Sequence, residues 1–285
     1  MKYLFLMLGA VGASMSSTFV RCSTAPSMVL VLYRVTYATL LLTPYVLLRH
    51  WDEIKQLKKK EWVLCVLAGV FLGLHFVSYF ESLRRTAIAP AAVLVNTEAL
   101  FVTIGMALFM KTKFNRKAWV AVLFAFAGSV IVAMADASSG SGALLGNLLA
   151  LAGAIFGAIY TILGTSCRRG GLSTMVYSYF LYAAAALTVL VFVLASGTVL
   201  FGYEPVNFLT ALGLAVCCTI GGHCIYSWSL KHFPASFVAS TKMMEPVFAS
   251  LWGILLFGEL PNILVVLGGT LVILSIMSYG KFLGE

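Results

Sequence analysis

Apolar runs about twenty residues long recur from one end of this chain to the other, separated only by short polar or charged breaks. As a helix rising about 1.5 Å per residue, such a run spans the roughly 30 Å hydrocarbon core of a bilayer. The runs are continuous and lack the period-two alternation of barrel strands, so they read as helices. Ten are expected, at roughly 3–20, 28–48, 62–83, 87–110, 117–135, 144–164, 173–195, 207–229, 235–257 and 262–280. Pro26, the charged stretch 49–61, Arg84-Arg85, the Ser/Gly stretch 137–143, Pro234 and Pro261 are among the breaks. Only 10% of the 285 residues are charged, whereas a soluble domain carries about a quarter. The fold class is therefore an all-α integral membrane protein, with loops too short to hold a soluble domain. The first run has no Ala-x-Ala cleavage site after it, and Gly9, Ala10, Gly12 and Ala13 read as packing residues, so a retained helix is expected.

The net charge is +9, but the positive residues sit in short loops and read as topology determinants, not as a nucleic-acid surface. With a cytoplasmic N-terminus, fourteen Lys and Arg fall on the inner side, including Arg49, Lys58, Lys59, Lys60, Lys113, Arg168 and Lys281. Three fall outside, Arg21, Arg84 and Arg85. That bias predicts a plasma (inner) membrane protein with both termini cytoplasmic; Arg84-Arg85 is the exception to the pattern.

Ten helices divided five and five make an inverted duplication, because an odd repeat starts its second copy on the opposite side. The chain carries internal echoes of one. Ser82-Leu83-Arg84 matches Ser229-Leu230-Lys231 at an offset of 147, and the same offset sets Glu98 on Glu245 and Phe101 on Phe248. His75 and His223 are one residue out of step, and Gly9-Ala10-Val11 matches Gly153-Ala154-Ile155. The expected repeats are residues 1–140 and 141–285.

Pro26 followed by Tyr33-Arg34, and Glu245-Pro246-Val247-Phe248-Ala249 followed by Phe257-Gly258-Glu259, carry a resemblance over nearly the whole chain. The chain resembles the EamA-type members of the drug/metabolite transporter superfamily. The resemblance implies a ten-helix, five-plus-five plan and carriage of small metabolites, often export of amino acids or related compounds. The first half departs from the pattern, with Ala99 where a proline often follows and Lys111-Thr112 in place of Gly-Glu.

Four charges lie inside the runs and away from their ends: Arg34, Glu98, Lys242 and Glu245. A carboxylate at bilayer depth is costly and is a functional-site candidate by default. Together the four sum to zero, as a dry interior prefers. Glu98 and Glu245 would bind an ammonium group or a proton. Lys242, three residues from Glu245 and able to share its face, would meet a substrate carboxylate or serve as a displaceable counter-ion. The competing reading is a static ion-pair network that pins the helices. Arg34 either joins the site or snorkels to the outer interface. His75 and His223 are candidates to relay protons or bond substrate, against a plain interhelical hydrogen bond. Glu98, Glu245 and His75 are the proton-coupling candidates. Tyr79, Tyr226 and Trp228 complete the candidate substrate-binding set, with packing or an interfacial belt as the alternative.

The six cysteines show no C-x-x-C pair and no zinc spacing, so no metal site is expected. There is no P-loop, no H-E-x-x-H and no nucleophile elbow, so no catalytic residue or cofactor is expected either. The expected function is a secondary transporter, exporter or exchanger, working by alternating access around the mid-membrane charges. Its partners would be the lipid bilayer, a small zwitterionic or cationic metabolite, an amino acid above all, and protons as coupling ion; oligomeric state stays open. The alternatives are a proton-coupled multidrug or organic-cation exporter, and a non-transporting scaffold with structural ion pairs.

Overall fold

The structure, a computed structural model, describes residues 2–137 and 142–282, and among them it is helix and loop without strand. The expected repeat boundary at 140–141 lies outside the described residues. In chain order the helices are α1 (Lys2–Ser14), α2 (Ser16–Arg21), α3 (Ser27–Arg49), α4 (Trp51–Lys55), α5 (Lys59–Leu83), α6 (Ile88–Asn96), α7 (Glu98–Phe109) and α8 (Arg116–Ala137). They continue with α9 (Ala143–Arg169), α10 (Thr174–Ala195), α11 (Pro205–Gly213), α12 (Ile225–Ser229), α13 (Ala235–Thr241), α14 (Glu245–Phe257) and α15 (Ile263–Phe282). A π-helical stretch, Leu214–Cys224, joins α11 to α12, and a 3₁₀ turn, Lys242–Met244, joins α13 to α14.

Among the described residues, seven helical spans are long and apolar enough to cross a membrane: Lys2–Arg21, Ser27–Arg49, Lys59–Leu83, Ile88–Phe109, Ala143–Arg169, Thr174–Ala195 and Pro205–Ser229. Shorter apolar stretches, Trp119–Val132, Glu245–Phe257 and Ile263–Ser275, occupy the fifth, ninth and tenth expected runs. Among the described residues, seven of the ten expected runs are therefore full-length apolar helices. In the ninth run the reason is local, since the 3₁₀ turn cuts its apolar helix in two.

Small residues set the packing. Helix α5 lies against both α9 and α10, and α8 pairs with α15. A Cβ added at Gly128 would fall 2.7 Å from the Gly268 carbonyl, and one at Gly268 would fall 2.9 Å from the Gly128 carbonyl. The α8–α15 crossing therefore needs glycine on both sides. At Gly12 of α1 a Cβ would meet Cys217 O at 2.7 Å and Gly221 O at 3.0 Å, which fixes α1 against the π-helical stretch.

The two helices that carry the glutamates are both broken beside them. Pro246 supplies no N–H, so the turn before it cannot close a regular helical bond, and the chain tightens to 3₁₀ at Lys242–Met244. Between α6 and α7 there is no proline, because Ala99 holds the matching position. Side chains break this helix instead. Thr97 Oγ1 donates to Leu94 O at 2.6 Å, Asn96 Nδ2 donates to Ala92 O at 3.0 Å, and Leu100 N bonds Thr97 O at 2.8 Å in a tightened turn. Each glutamate thus begins a second half-helix, Glu98 in α7 and Glu245 in α14. A helix start favours negative charge.

Loops tie the bundle at each end. At the Arg21 end, Arg21 Nη2 lies 3.1 Å from Glu259 Oε1, and Glu259 Oε2 accepts from Ile88 N at 2.9 Å. Asn207 Oδ1 accepts from Ser23 Oγ, Thr24 N and Ala25 N at 2.8, 2.8 and 2.9 Å. The Arg84-Arg85 exception acquires a structural reason here: Arg84 donates to Ser27 Oγ at 2.9 Å and to Ala25 O at 2.5 Å, and Arg85 pairs with Glu81 at 2.6 Å. At the opposite end, Ser173 N donates to Glu53 Oε1 at 2.6 Å, and His50 Nδ1 lies 2.9 Å from Glu53 Oε2.

Candidate functional site

Three interrupted helices converge on α5 and α9 in the middle of the bundle, and their polar groups enclose a cavity of about 20 Å³. That is the room about one water molecule needs. Its lining includes Arg34, His75, Tyr79, Asn96, Glu98, His223, Lys242 and Glu245. Larger hollows of about 460 and 360 Å³ lie at mostly apolar helix faces, the first lined by Phe124 and Leu274 with Arg116 and Lys117 at its edge, the second by Phe126 and Leu151. Apolar hollows on a lipid-facing surface are expected and carry no chemistry.

Glu98 and Lys242 form the centre. Lys242 Nζ donates to Glu98 Oε1 at 2.8 Å, and both side chains are about 95% buried. Glu98 Oε1 also accepts from Thr161 Oγ1 at 2.7 Å. Lys242 makes a second bond, to Tyr160 Oη at 3.1 Å, and its ammonium lies 5.2 and 5.1 Å from the ring centroids of Tyr160 and Tyr226. Lys242 and Glu245 line the same cavity, and Lys242 reaches Glu98 across it. Lys242 stands in the 3₁₀ turn, where residues three apart lie one above the other, so it stays on the side of Glu245.

An ammonium group only donates, so the Tyr160 hydroxyl accepts from Lys242 and turns its own proton toward His223 Nδ1, 3.2 Å away. His223 then carries its ring proton on Nε2. His75 has the other tautomer, because Nδ1 lies 2.8 Å from the Gly153 carbonyl and must donate to it. The two rings sit 6.3 Å apart, edge to face. Gly157 of α9 makes room for this arrangement. A Cβ there would lie 2.8 Å from Glu98 Oε2 and 2.9 Å from His75 Nδ1.

Glu245 Oε1 accepts from the Tyr226 hydroxyl at 2.5 Å. Arg34, instead of snorkelling outward, is 1% exposed in the core. Its Nε donates to Thr219 Oγ1 at 2.7 Å, and its guanidinium carbon lies 3.8 Å over the Phe76 ring. Snorkelling fails because Arg34 faces α5 and the π-helical stretch, which hold it by ring and hydroxyl. Phe76 and Phe80 flank the Arg34 cation as Tyr160 and Tyr226 flank Lys242.

Trp228 does not line the cavity. It packs on Phe5 at 5.2 Å and on His232 at 4.1 Å between ring centroids. Two residues along an α-helix turn by about 200°, so Tyr226 and Trp228 on α12 face opposite ways. Reasoning from the sequence missed Tyr160, Thr161, Thr219 and Asn96. Their polarity in apolar runs was the available signal, but only helix rotation reveals which of them point inward. Among the described residues no cluster of three His, Cys, Asp or Glu is arranged to hold a metal ion.

Comparison with known proteins agrees with this architecture. The EamA-like transporter family matches residues 1–134 and again residues 144–279. An uncharacterized transporter of Archaeoglobus fulgidus is 26% identical over 255 residues, covering 87% of this chain and 85% of its own. The pseudopaline exporter CntI of Pseudomonas aeruginosa is 24% identical over 261 residues, covering 91% of this chain and 88% of its own. A crystal structure shares the fold with a TM-score of 0.72 at 18% identity, over 100% of this chain and 98% of that one. With a family match in each half, this integral membrane protein belongs to the EamA-like transporter family.

Proposed function

We propose that the protein is a secondary carrier of a small zwitterionic metabolite, an amino acid or a close relative, moved by alternating access around the Glu98/Lys242/Glu245 site. The observation that carries this reading is the buried Glu98–Lys242 bond, which joins residues 144 positions apart. A buried ion pair in a lipid-embedded bundle is costly to build and marks a charged centre that joins the two halves. The reading includes ten spans arranged as two inverted five-helix repeats, with both termini cytoplasmic in the plasma membrane. The two family matches, the echo of Glu98 by Glu245 and the helix break beside each of them support it. The cavity of about 20 Å³ then belongs to a closed state that must widen to admit a metabolite.

Export is the favoured direction, because a relative of comparable length is named an exporter. Glu245, bonded to a phenol and free of a direct cation, is better placed than Glu98 to exchange a proton with the coupling pathway. Thermal stabilisation of the purified protein against amino acids, amines, nucleosides and lipophilic cations tests the reading. A saturating ligand raises stability by about 3 kcal/mol at a hundred times its dissociation constant. Stabilisation by one amino acid class that is lost in Glu98→Gln is expected. Stabilisation by bulky lipophilic cations instead would favour the multidrug alternative. No stabilisation by any compound, with Glu98→Gln merely less stable, would favour the structural one.

A further inference from the structure

Two charges face the central cavity without a partner of opposite sign. Lys242 and Glu98 neutralise each other. Arg34 has no carboxylate partner among the described residues, and its Nη2 is buried without any hydrogen bond. Glu245 is held by a phenol and not by a cation. Both Arg34 and Glu245 line the same cavity. A guanidinium 1% exposed, with one nitrogen idle, is an expensive thing to keep in a membrane bundle. The Phe76 face beneath it offsets only part of that cost.

We infer that Arg34, and not Lys242, receives the carboxylate of the transported molecule, while Glu245 receives its ammonium group. This rests on the carrier reading above and names the substrate chemistry of the same site. The planar fork of arginine suits a carboxylate, and the idle Nη2 supplies a donor that nothing in the protein uses. Lys242 is poorly placed for the task, since it already donates to Glu98 Oε1 at 2.8 Å and Tyr160 Oη at 3.1 Å. Arg34 is also tied to the π-helical stretch. Its Nε bonds Thr219, whose hydroxyl reaches back five residues to Leu214 O at 3.1 Å within the π-helical stretch. Binding at Arg34 therefore acts directly on the irregular helix that lines the site.

The test uses the full chain and matched triads: an amino acid, its amide lacking the carboxylate, and its deaminated acid lacking the ammonium, for instance phenylalanine, phenylalaninamide and 3-phenylpropionate. A panel of such triads is measured by ligand-induced thermal stabilisation and by uptake into proteoliposomes. In wild type, an amino acid binds more tightly than its amide. In Arg34→Gln that preference disappears, with a loss on the order of 10- to 100-fold for the acid and little change for the amide. Arg34→Lys retains part of it. The response to the amide reports a folded site in each variant. The inference is overturned if amide and acid bind alike in wild type, if Arg34→Gln weakens both by the same factor, if Lys242→Gln removes the preference instead, or if no carboxylate in the panel binds. An Arg34-dependent response to the deaminated acids without transport would sustain the anchor and refute the zwitterion carrier. Transport of amides dependent on Glu245, with no carboxylate preference, would do the reverse.

Discussion

Glu98 Oε1 lies 2.8 Å from Lys242 Nζ, and the two residues come from helices in different halves of the chain, each broken beside the contact. The bond is therefore both a tie between halves and part of the candidate binding site. Removing one partner should leave the other charge buried and alone. Glu98→Gln and Lys242→Met are each expected to destabilise the closed form by about 3–5 kcal/mol. The double variant should recover much of that stability while remaining unable to transport. Thermal unfolding of the four proteins, alongside uptake assays, checks this; recovery of transport in the double variant would make the pair purely structural.

Gly157 sits where no side chain fits. Gly157→Ala would place a methyl 2.8 Å from Glu98 Oε2, so a cost of about 1–3 kcal/mol and loss of transport are expected. Gly153→Ala, whose nearest neighbours would be 3.4 and 3.5 Å away, serves as the mild control. Equal behaviour of the two in unfolding and uptake would contradict the packing described here.

The Arg21–Glu259 pair is a quarter exposed, 28% and 27% by side chain, so its direct contribution is under about 1 kcal/mol. Its position matters more, because Glu259 also accepts from Ile88 N and so fastens two loops. Glu259→Gln should leave the melting temperature nearly unchanged and raise the reactivity of a cysteine placed at Thr24 toward a water-soluble thiol reagent. Unchanged reactivity would mean that this end is not held by the pair.

The tie at the other end is sensitive to acid. Burial pushes the Glu53 carboxyl up, but the Ser173 hydroxyl, the Ser173 N–H and His50 outweigh it, and the group ends below the ordinary carboxylate value. A depressed carboxyl contributes its full stabilisation above the unfolded-state pKa and loses it as pH falls through the folded-state value. Hydrogen-exchange protection of the Ser173 amide, corrected for intrinsic rates, should therefore fall on acidification below the ordinary carboxylate range. In Glu53→Gln the dependence should flatten. An unaltered profile in that variant would remove Glu53 from the tie.

Helix positions were legible because apolar length and loop charge are local properties of the chain. The central charges were legible too, since Glu98, Lys242 and Glu245 stand out in apolar surroundings. The polar groups around them were not. Lys242 shares the cavity with Glu245, as their spacing expects, but its second bond, to Tyr160, depends on helix rotation. Ala99 departs from the proline pattern of the second half, yet Thr97 and Asn96 break the first-half helix through side-chain bonds to the backbone. Trp228 was placed beside Tyr226 by proximity in sequence, although a two-residue step reverses the face. Arg34 was left between the interface and the site because helix rotation is scarcely encoded in an apolar sequence.

Solute counterflow tests the central claim most directly. Proteoliposomes loaded with a high concentration of one unlabelled amino acid are diluted into a trace of the labelled compound, for wild type, Glu98→Gln and Glu245→Gln, across the common amino acids. The account predicts transient accumulation of label for at least one amino acid in wild type and none in Glu98→Gln. Counterflow in Glu98→Gln at the wild-type rate, or no counterflow of any amino acid in wild type, would contradict it.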